Sequence, residues 1–133
     1  MSIERVTYVD SSAIVKLVVR ELESAALSRF LRTRRPLVSS ALARVEVERA
    51  CLAFGDAVRE RARDVLARFE LVRIGDRVLS AAGGLLPNEI RSLDAIHLAT
   101  ASLFGTSLRA VVTYDVRMAN VARSLGWKVA APS

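Results

Sequence analysis

Four acidic residues occupy positions from which their carboxylates could act together. Asp10 directly follows an apolar run at residues 6–9, and Asp115 follows a similar run after Tyr114. Glu46 and Asp94 lie on largely apolar helical patterns. Oxygen ligands without Cys or His partners suit Mg²⁺ or Mn²⁺. Two such ions about 4 Å apart can activate a water and stabilise the leaving oxygen in phosphodiester cleavage.

Each of these acids also has an ordinary structural explanation. Asp10 and Asp115 could each cap the helix that follows, since Asp is a favoured N-cap residue. Asp94 could be a first-turn acid that gains from the helix dipole, with Ser92 as the cap. Glu46 could pair with an arginine inside the protein. Taken singly, the four acids therefore leave both interpretations open.

Glu46 is the least expected of the four at its position. It lies on or beside an apolar stripe at helical spacing, formed by Ala43, Val47, Ala50, Cys51 and Phe54. Glu48 lies about 200° further round the helix, four residues after Arg44, where it can make a surface ion pair. A carboxylate on the core side needs compensation. The pattern predicts that Glu46 has a partner in the interior or a bound cation.

The strands and helices predicted to carry these acids alternate along the chain. Short runs rich in β-branched residues are separated by helical patterns, which predicts right-handed crossovers and a parallel sheet between two helical layers. We therefore expect an α/β, three-layer α/β/α fold with about five strands. These are predicted at residues 6–9, 37–39, 71–74, 110–113 and 127–130. Functional groups in such sheets lie outside the carboxyl ends of the strands.

Composition limits the fold and function classes that are open to this chain. A chain of 133 residues with 52% hydrophobic residues predicts one folded domain over residues 1–133. The net charge is +6, and only two of the 20 basic residues are lysines, so an acidic partner such as nucleic acid is plausible. GC-rich coding explains the arginines equally well. One Cys and one His exclude an internal disulfide and a His-rich metal site.

Two further expectations follow from charge and hydropathy. The start of the chain has no signal-peptide pattern and no apolar run reaches membrane-spanning length, so we expect a cytoplasmic protein. Opposite charges three or four residues apart on one helix predict surface ion pairs. These are Asp56 with Arg59, Glu60 with Arg63, and Asp64 with Arg68.

Along its whole length, the sequence resembles PIN-domain ribonucleases, specifically the VapC toxins of bacterial toxin–antitoxin pairs. The matching segments are residues 8–17, 45–50, 93–99, 112–119 and 126–132. Each segment alone is a weak signal. Their order and spacing together make the resemblance specific, and it implies a PIN-like fold.

The resemblance also implies roles for particular residues. The metal ligands would be Asp10, Glu46, Asp94 and Asp115, with Asp10 and Asp94 as the principal ones. Thr113 stands two residues before the last acid, at a hydroxyl position of the family, where it would orient that acid or its water. The family often has Thr after the first Asp, and this chain has Ser11, which also carries a hydroxyl.

An activity and partners are implied in the same way. The expected activity is that of an endoribonuclease using Mg²⁺ or Mn²⁺, with RNA as substrate and a homodimer as the assembly. The expected partner is a cognate VapB-type antitoxin whose C-terminal segment blocks the site. DNA would be contacted only indirectly, through the antitoxin. No membrane partner is expected.

Three basic residues near these motifs have open roles. Lys16 could meet phosphate or lie on a solvated face. Arg117, two residues after Asp115, could bind substrate, although pairing with a pocket acid is favoured. His97 is one turn after Asp94, and a packing or supporting histidine is favoured over a general base.

Two other functional classes compete with the nuclease. A PIN-like module could hold RNA or a protein without catalysis, although its signature would be the loss of one or more of the acids. A receiver-like signalling domain would need an acidic pair after the first strand and a phosphoacceptor after the third. Here Asp10 is followed by two serines, and Asp76 follows the third strand.

Overall fold

The computed structural model describes residues 5–133 and shows an α/β fold with five strands and seven helices among them. The strands are β1 (Val6–Val9), β2 (Leu37–Ser40), β3 (Glu70–Val72), β4 (Leu108–Val112) and β5 (Val129–Ala130). The helices are α1 (Ser11–Val18), α2 (Ser24–Arg32), α3 (Leu42–Cys51), α4 (Asp56–Leu66), α5 (Asp76–Gly83), α6 (Ser92–Ser102) and α7 (Val116–Ser124). This confirms the predicted fold class.

The sheet is parallel, with strand order β3-β2-β1-β4-β5. The central strand β1 pairs with β2 through Tyr8 and Val38, and with β4 through Val9 and Val112. Because adjacent parallel strands end at the same edge, the loops after β1 and β4 lie side by side. This arrangement brings the segments that begin at Asp10 and Thr113 together.

The two faces of β1 pack against different helical layers, as the period of two in a strand requires. Val9 joins one cluster with Ile14 of α1 and Val47 of α3. Tyr8 faces the other way and packs in a cluster that contains Ala101 of α6. All four β1 residues are buried, and each large apolar side chain buried in this way contributes roughly 1.5–3 kcal/mol.

Among the helix boundaries, the end of α3 and the start of α6 differ from the sequence predictions. The helix expected to reach Phe54 ends at Cys51 and continues as a 3-10 turn, Leu52–Phe54, before Gly55 with φ 92°. This positive φ favours glycine. The predicted Ser92 cap is wrong, since Ser92 is the first residue of α6 and its N-cap is Arg91, without a side-chain hydrogen bond. Asp94 does lie in the first turn.

The ion pairs on the α3–α4 surface also correct the sequence analysis. Glu48 pairs with Arg59 and Arg63 of α4, each at 3.2 Å, and not with Arg44. The three predicted pairs within residues 56–68 do not form in the part of the chain that the structure describes. The physical reason is that α3 packs on α4, which places one carboxylate between two arginines of the neighbouring helix.

None of the helices described in the structure is long and apolar enough to cross a membrane.

Candidate active site at the carboxyl edge of the sheet

Asp10 lies at the end of the central strand and is only 2% exposed. Its backbone is extended and its Oδ1 accepts a hydrogen bond of 3.1 Å from the Ala13 backbone N–H, so it caps α1. The Ser12 hydroxyl donates to the same oxygen at 2.7 Å. The Thr113 hydroxyl donates to Oδ2 at 2.6 Å. Asp10 is therefore a helix cap and also the buried centre of a polar network.

Ser12 and Thr113 tie the ends of β1 and β4 together. Ser12 Oγ also accepts from the Tyr114 backbone N–H at 3.0 Å. Thr113 Oγ1 accepts from the Asp115 backbone N–H at 3.1 Å while it donates to Asp10. Thr113 thus contacts both the first and the last acid, and its own proton goes to the first. Because both hydroxyls bridge the two segments, the loops after β1 and β4 are held in one geometry.

Burial raises the pKa of Asp10 above its ordinary value, although hydrogen bonds from Thr113 and Ser12 and the charge of His97 act in the opposite direction. Desolvation disfavours the ionised form of a carboxyl group. The network therefore compensates only part of the cost of placing a carboxylate here. An additional positive charge would favour the ionised form.

Glu46 is held by two donors on the same oxygen atom. Its Oε1 accepts from Ser11 Oγ at 2.7 Å and from His97 Nε2 at 2.7 Å. Burial acts to raise the pKa of Glu46, but the hydrogen bonds from His97 and Ser11 and the charge of His97 together leave it below its ordinary value. The partner expected in the interior therefore exists, and it is a histidine with a serine instead of the arginine that was the alternative explanation.

Asp94 and Asp115 complete the acidic edge. Asp115 caps α7, its Oδ1 accepting from the Met118 backbone N–H at 3.0 Å. Asp94 accepts no hydrogen bond from the residues that the structure describes. Its pKa is raised by burial and by the charges of Asp115 and Glu46, while the charges of Arg91 and His97 act to lower it. These interactions place Asp94, Asp115 and Glu46 within one electrostatic neighbourhood.

The carboxylate oxygens of the four acids are the kind of ligand that a hard divalent cation prefers. Their side chains are not already arranged to coordinate one. Within residues 5–133, no three acidic, histidine or cysteine side chains are already drawn together closely enough to hold a metal ion. The four acids nevertheless offer only oxygen atoms as ligands. The pKa values of Asp10 and Asp94 are raised, and a bound cation would lower them. Binding would require side-chain rotations that bring the carboxylates closer.

The basic residues proposed for substrate have different environments. Lys16 Nζ makes ion pairs of 3.2 Å with Glu21 and Glu23 and lies 4.9 Å from the centre of the Tyr114 ring. Its charge is therefore compensated locally. Arg117 is exposed and forms no ion pair with the described residues, so the favoured pairing with a pocket acid is wrong. The reason is that its position on α7 directs it to solvent.

Two residues of this site were not predicted from the sequence. Ser12 was not singled out, although a hydroxyl two residues after a strand-end acid is placed to reach it. Tyr8 is fully buried, and its hydroxyl lies 2.7 Å from His97 Nδ1. No local signal connects Tyr8 with His97, because they are 89 residues apart. His97 is 2% exposed, which agrees with a supporting role and not with a solvent-accessible general base.

The strand order argues against the receiver-like alternative. In flavodoxin-like domains with strand order 2-1-3-4-5, the third strand is adjacent to the first. Here β3 is at the edge of the sheet and β2 separates it from β1. Asp76 begins α5 after this edge strand and is exposed. It is therefore not beside Asp10.

Comparison with known proteins gives consistent results. The family model described as "PIN domain" matches residues 7–124. Ribonuclease VapC46 of Mycobacterium tuberculosis is 60% identical over 126 residues, which cover 95% of this chain and 97% of that protein. Ribonuclease VapC35 of the same species is 42% identical over 130 residues, or 94% of this chain and 96% of that protein.

Solved structures share the fold at low sequence identity. A toxin–antitoxin complex from Klebsiella pneumoniae has a chain with TM-score 0.74 and 19% identity, matching 96% of this chain and 98% of its own. The sarcin–ricin-loop-cleaving toxin VapC20 of Mycobacterium tuberculosis has TM-score 0.75 and 13% identity, matching 95% of this chain and 99% of its own.

Proposed function

The chain belongs to the PIN-domain family and, within it, to the VapC proteins, and on that premise we propose that it is a metal-dependent endoribonuclease acting as the toxin of a toxin–antitoxin pair. The observation that carries the proposal is that four acids, Asp10, Glu46, Asp94 and Asp115, lie in one neighbourhood at the carboxyl edge of the sheet, where the charges of Asp115 and Glu46 act on Asp94. Its substrate would be RNA, and its cofactor would be Mg²⁺ or Mn²⁺.

The four acids would hold the cation, with Asp10 and Asp94 as its principal ligands. When bound, the divalent ion lowers the pKa of a water molecule and offsets charge on the phosphate. Thr113 and Ser12 orient Asp10 through both of its oxygens. Ser11 and His97 hold Glu46 in its ionised form through one oxygen. Asp94 has no described donor and is therefore free to meet a ligand.

The experiment that tests this function compares purified wild-type protein with Asp94→Asn and Asp10→Asn. Wild-type protein should cleave RNA in Mg²⁺ or Mn²⁺ and lose the activity in EDTA. Both variants should stay folded and lose cleavage together with growth inhibition on expression. Retained cleavage by pure Asp94→Asn protein would refute the proposal. Sequencing of RNA ends after brief expression would identify the RNA that is cut.

A non-catalytic PIN-like module is the alternative, favoured by one specific observation. The described residues contain no ready-made cluster of metal ligands. Titration of the wild-type protein with Mn²⁺ by isothermal calorimetry separates the two functions. Saturable Mn²⁺ binding that is weakened in Asp94→Asn supports the nuclease, and no binding supports the inert module.

An antitoxin of the VapB type is the proposed partner, and any contact with DNA would be made through it. The VapC membership of the chain supports this proposal. Co-expression with the antitoxin should give a stable complex in which RNA cleavage is suppressed. The isolated toxin should not retard operator DNA in a gel, whereas the complex should. Unimpaired cleavage by a purified complex would contradict the proposed inhibition.

A homodimer is the proposed assembly. Leu79 and Leu86 are 50% and 71% exposed and line an open cavity of about 560 Å³ between α5 and α6, an apolar surface that a second copy would cover. Light scattering should therefore give about twice the mass of the 14.5 kDa chain. Leu86→Glu should shift the protein toward monomer. A monomeric wild-type protein at micromolar concentration would contradict this assignment.

A further inference from the structure

A buried hydrogen-bonded chain joins the central strand to the acidic edge through His97. The ring of His97 uses both of its nitrogens. Nδ1 lies 2.7 Å from the Tyr8 hydroxyl, and Nε2 lies 2.7 Å from Glu46 Oε1. The rings of Tyr8 and His97 meet edge to face, with centroids 5.9 Å apart. Tyr8 and His97 are buried, so water does not compete for the contact between them, whereas Glu46 is 26% exposed at the outer end of the chain.

The direction of the chain follows from what each atom can donate or accept. An ionised carboxylate only accepts, so Nε2 must carry the hydrogen that is shared with Glu46. An imidazole with hydrogen on Nε2 has a lone pair on Nδ1, which accepts from the Tyr8 hydroxyl. A tyrosine hydroxyl carries a proton at neutral pH, so Tyr8 can donate this 2.7 Å hydrogen bond to Nδ1. Tyr8 therefore selects the tautomer of His97 that donates to Glu46.

The two oxygens of Glu46 have unequal environments. Ser11 and His97 both donate to Oε1. Because both donors approach the same oxygen, Ser11 Oγ and His97 Nε2 lie 3.3 Å apart. Oε2 accepts no hydrogen bond from the residues that the structure describes. Because Oε1 is held by two donors, the carboxylate has little freedom to rotate, and Oε2 remains available to another ligand.

We propose that His97, with its tautomer fixed by Tyr8, is a positioning residue that orients Glu46 so that its Oε2 atom is available to the cation that Asp10, Asp94 and Asp115 would hold with it. This role rests on the proposed function. His97 does not touch the substrate or the cation in this role and acts only through Glu46. Supporting residues of this kind change metal affinity or activity by roughly 10–100-fold when removed.

Two amide substitutions separate the two contacts of the ring. The amide of Gln reaches the position of Nε2, so His97→Gln keeps a donor for Glu46 and loses the partner of Tyr8. The amide of Asn lies near the position of Nδ1, so His97→Asn keeps the Tyr8 contact and loses the donor. Tyr8→Phe removes only the hydroxyl that selects the tautomer. Thr100→Val is a matched control on α6, because the buried Thr100 hydroxyl donates only to the Ile96 carbonyl.

The decisive measurement is Mn²⁺ affinity by calorimetry, made beside thermal unfolding of the metal-free proteins. We expect His97→Asn to bind Mn²⁺ roughly 10–100-fold more weakly, and His97→Gln to stay within several-fold of wild type. The Mn²⁺ affinity of Tyr8→Phe should lie between those of the two His97 variants. The ¹⁵N spectra of its His97 ring should show a mixture of tautomers, whereas wild type should show one. Thr100→Val should lose stability without losing affinity.

Three outcomes would overturn the proposal. In the first, His97→Asn and His97→Gln bind Mn²⁺ equally well, so the donor to Glu46 is irrelevant. In the second, both lose affinity only in proportion to their loss of stability, as Thr100→Val does, so the ring merely packs. In the third, wild-type protein binds no Mn²⁺, which refutes the proposed function as well. If the wild-type protein binds Mn²⁺ and cleaves RNA, and the His97 variants bind Mn²⁺ equally tightly, the positioning role is refuted and the proposed function stands.

Discussion

The Thr113 hydroxyl donates a 2.6 Å hydrogen bond to the buried Oδ2 of Asp10, although the two residues are 103 positions apart. This contact joins the carboxyl ends of β4 and β1. Since the other oxygen of Asp10 is held from α1, Thr113 is the sole donor to Oδ2 among the described residues. The geometry of the first acid therefore depends on the strand that carries the last acid.

Thr113→Val should therefore weaken both fold and activity. Removal of a hydrogen bond to a buried carboxylate costs about 1–3 kcal/mol. The pKa of Asp10 should rise further, since Thr113 acts to lower it. Urea unfolding at neutral pH measures the loss, and Thr113→Ser, which retains a hydroxyl, is the control. Equal stability of the Val and Ser variants would show that the contact contributes nothing.

Asp94→Asn should abolish cleavage and yet stabilise the metal-free protein at pH 7. The pKa of Asp94 is higher in the folded protein than in the unfolded chain, so the ionised carboxylate costs stability at neutral pH. Because the group is partly exposed and water screens it, the gain should be at most about 1 kcal/mol. The difference should shrink as pH falls through the folded pKa. A less stable variant at pH 7 would contradict this explanation.

Arg117→Gln should raise KM for RNA with little change in kcat. Arg117 is exposed, follows Asp115 closely and has no described partner, so its charge is available to a phosphate. Loss of one phosphate contact should reduce the slope of log affinity against log salt by about 1. Lys16→Gln is the matched control, since Lys16 is already paired with Glu21 and Glu23. An equal KM effect in both variants would argue against a specific contact.

Glu48→Gln should reduce stability slightly without changing cleavage. Glu48 joins α3 to α4 through Arg59 and Arg63, and hydrogen bonds from these arginines lower its pKa. A lowered folded pKa gives stability that is present above the unfolded pKa and lost as pH falls through the folded one. Thermal unfolding at several pH values and salt concentrations should show the wild-type advantage at pH 7 in low salt only. An advantage that survives high salt would indicate packing instead of charge.

Much of the site was predictable because it follows from local pattern. The alternation of strands and helices predicts a parallel sheet, and the acids after β1 and β4 must then share an edge. Asp94 is correctly expected in the first turn of α6. The partners of Glu46 and Glu48 were not predictable. Helical spacing shows on which face of its helix a residue lies, but not which side chain of a neighbouring element packs against it.

The fold class and the position of each acid along its element follow from the sequence alone, and the family follows from the resemblance. These depend on backbone geometry, which repeats every 2 residues in a strand and every 3.6 in a helix. By contrast, the hydrogen bonds that join Thr113 to Asp10, and Ser11, His97 and Tyr8 to Glu46, are visible only in the folded chain. Hydrogen bonds between distant residues depend on how layers pack and on which polar groups burial leaves to satisfy. That information lies in the packed chain and not in any one segment.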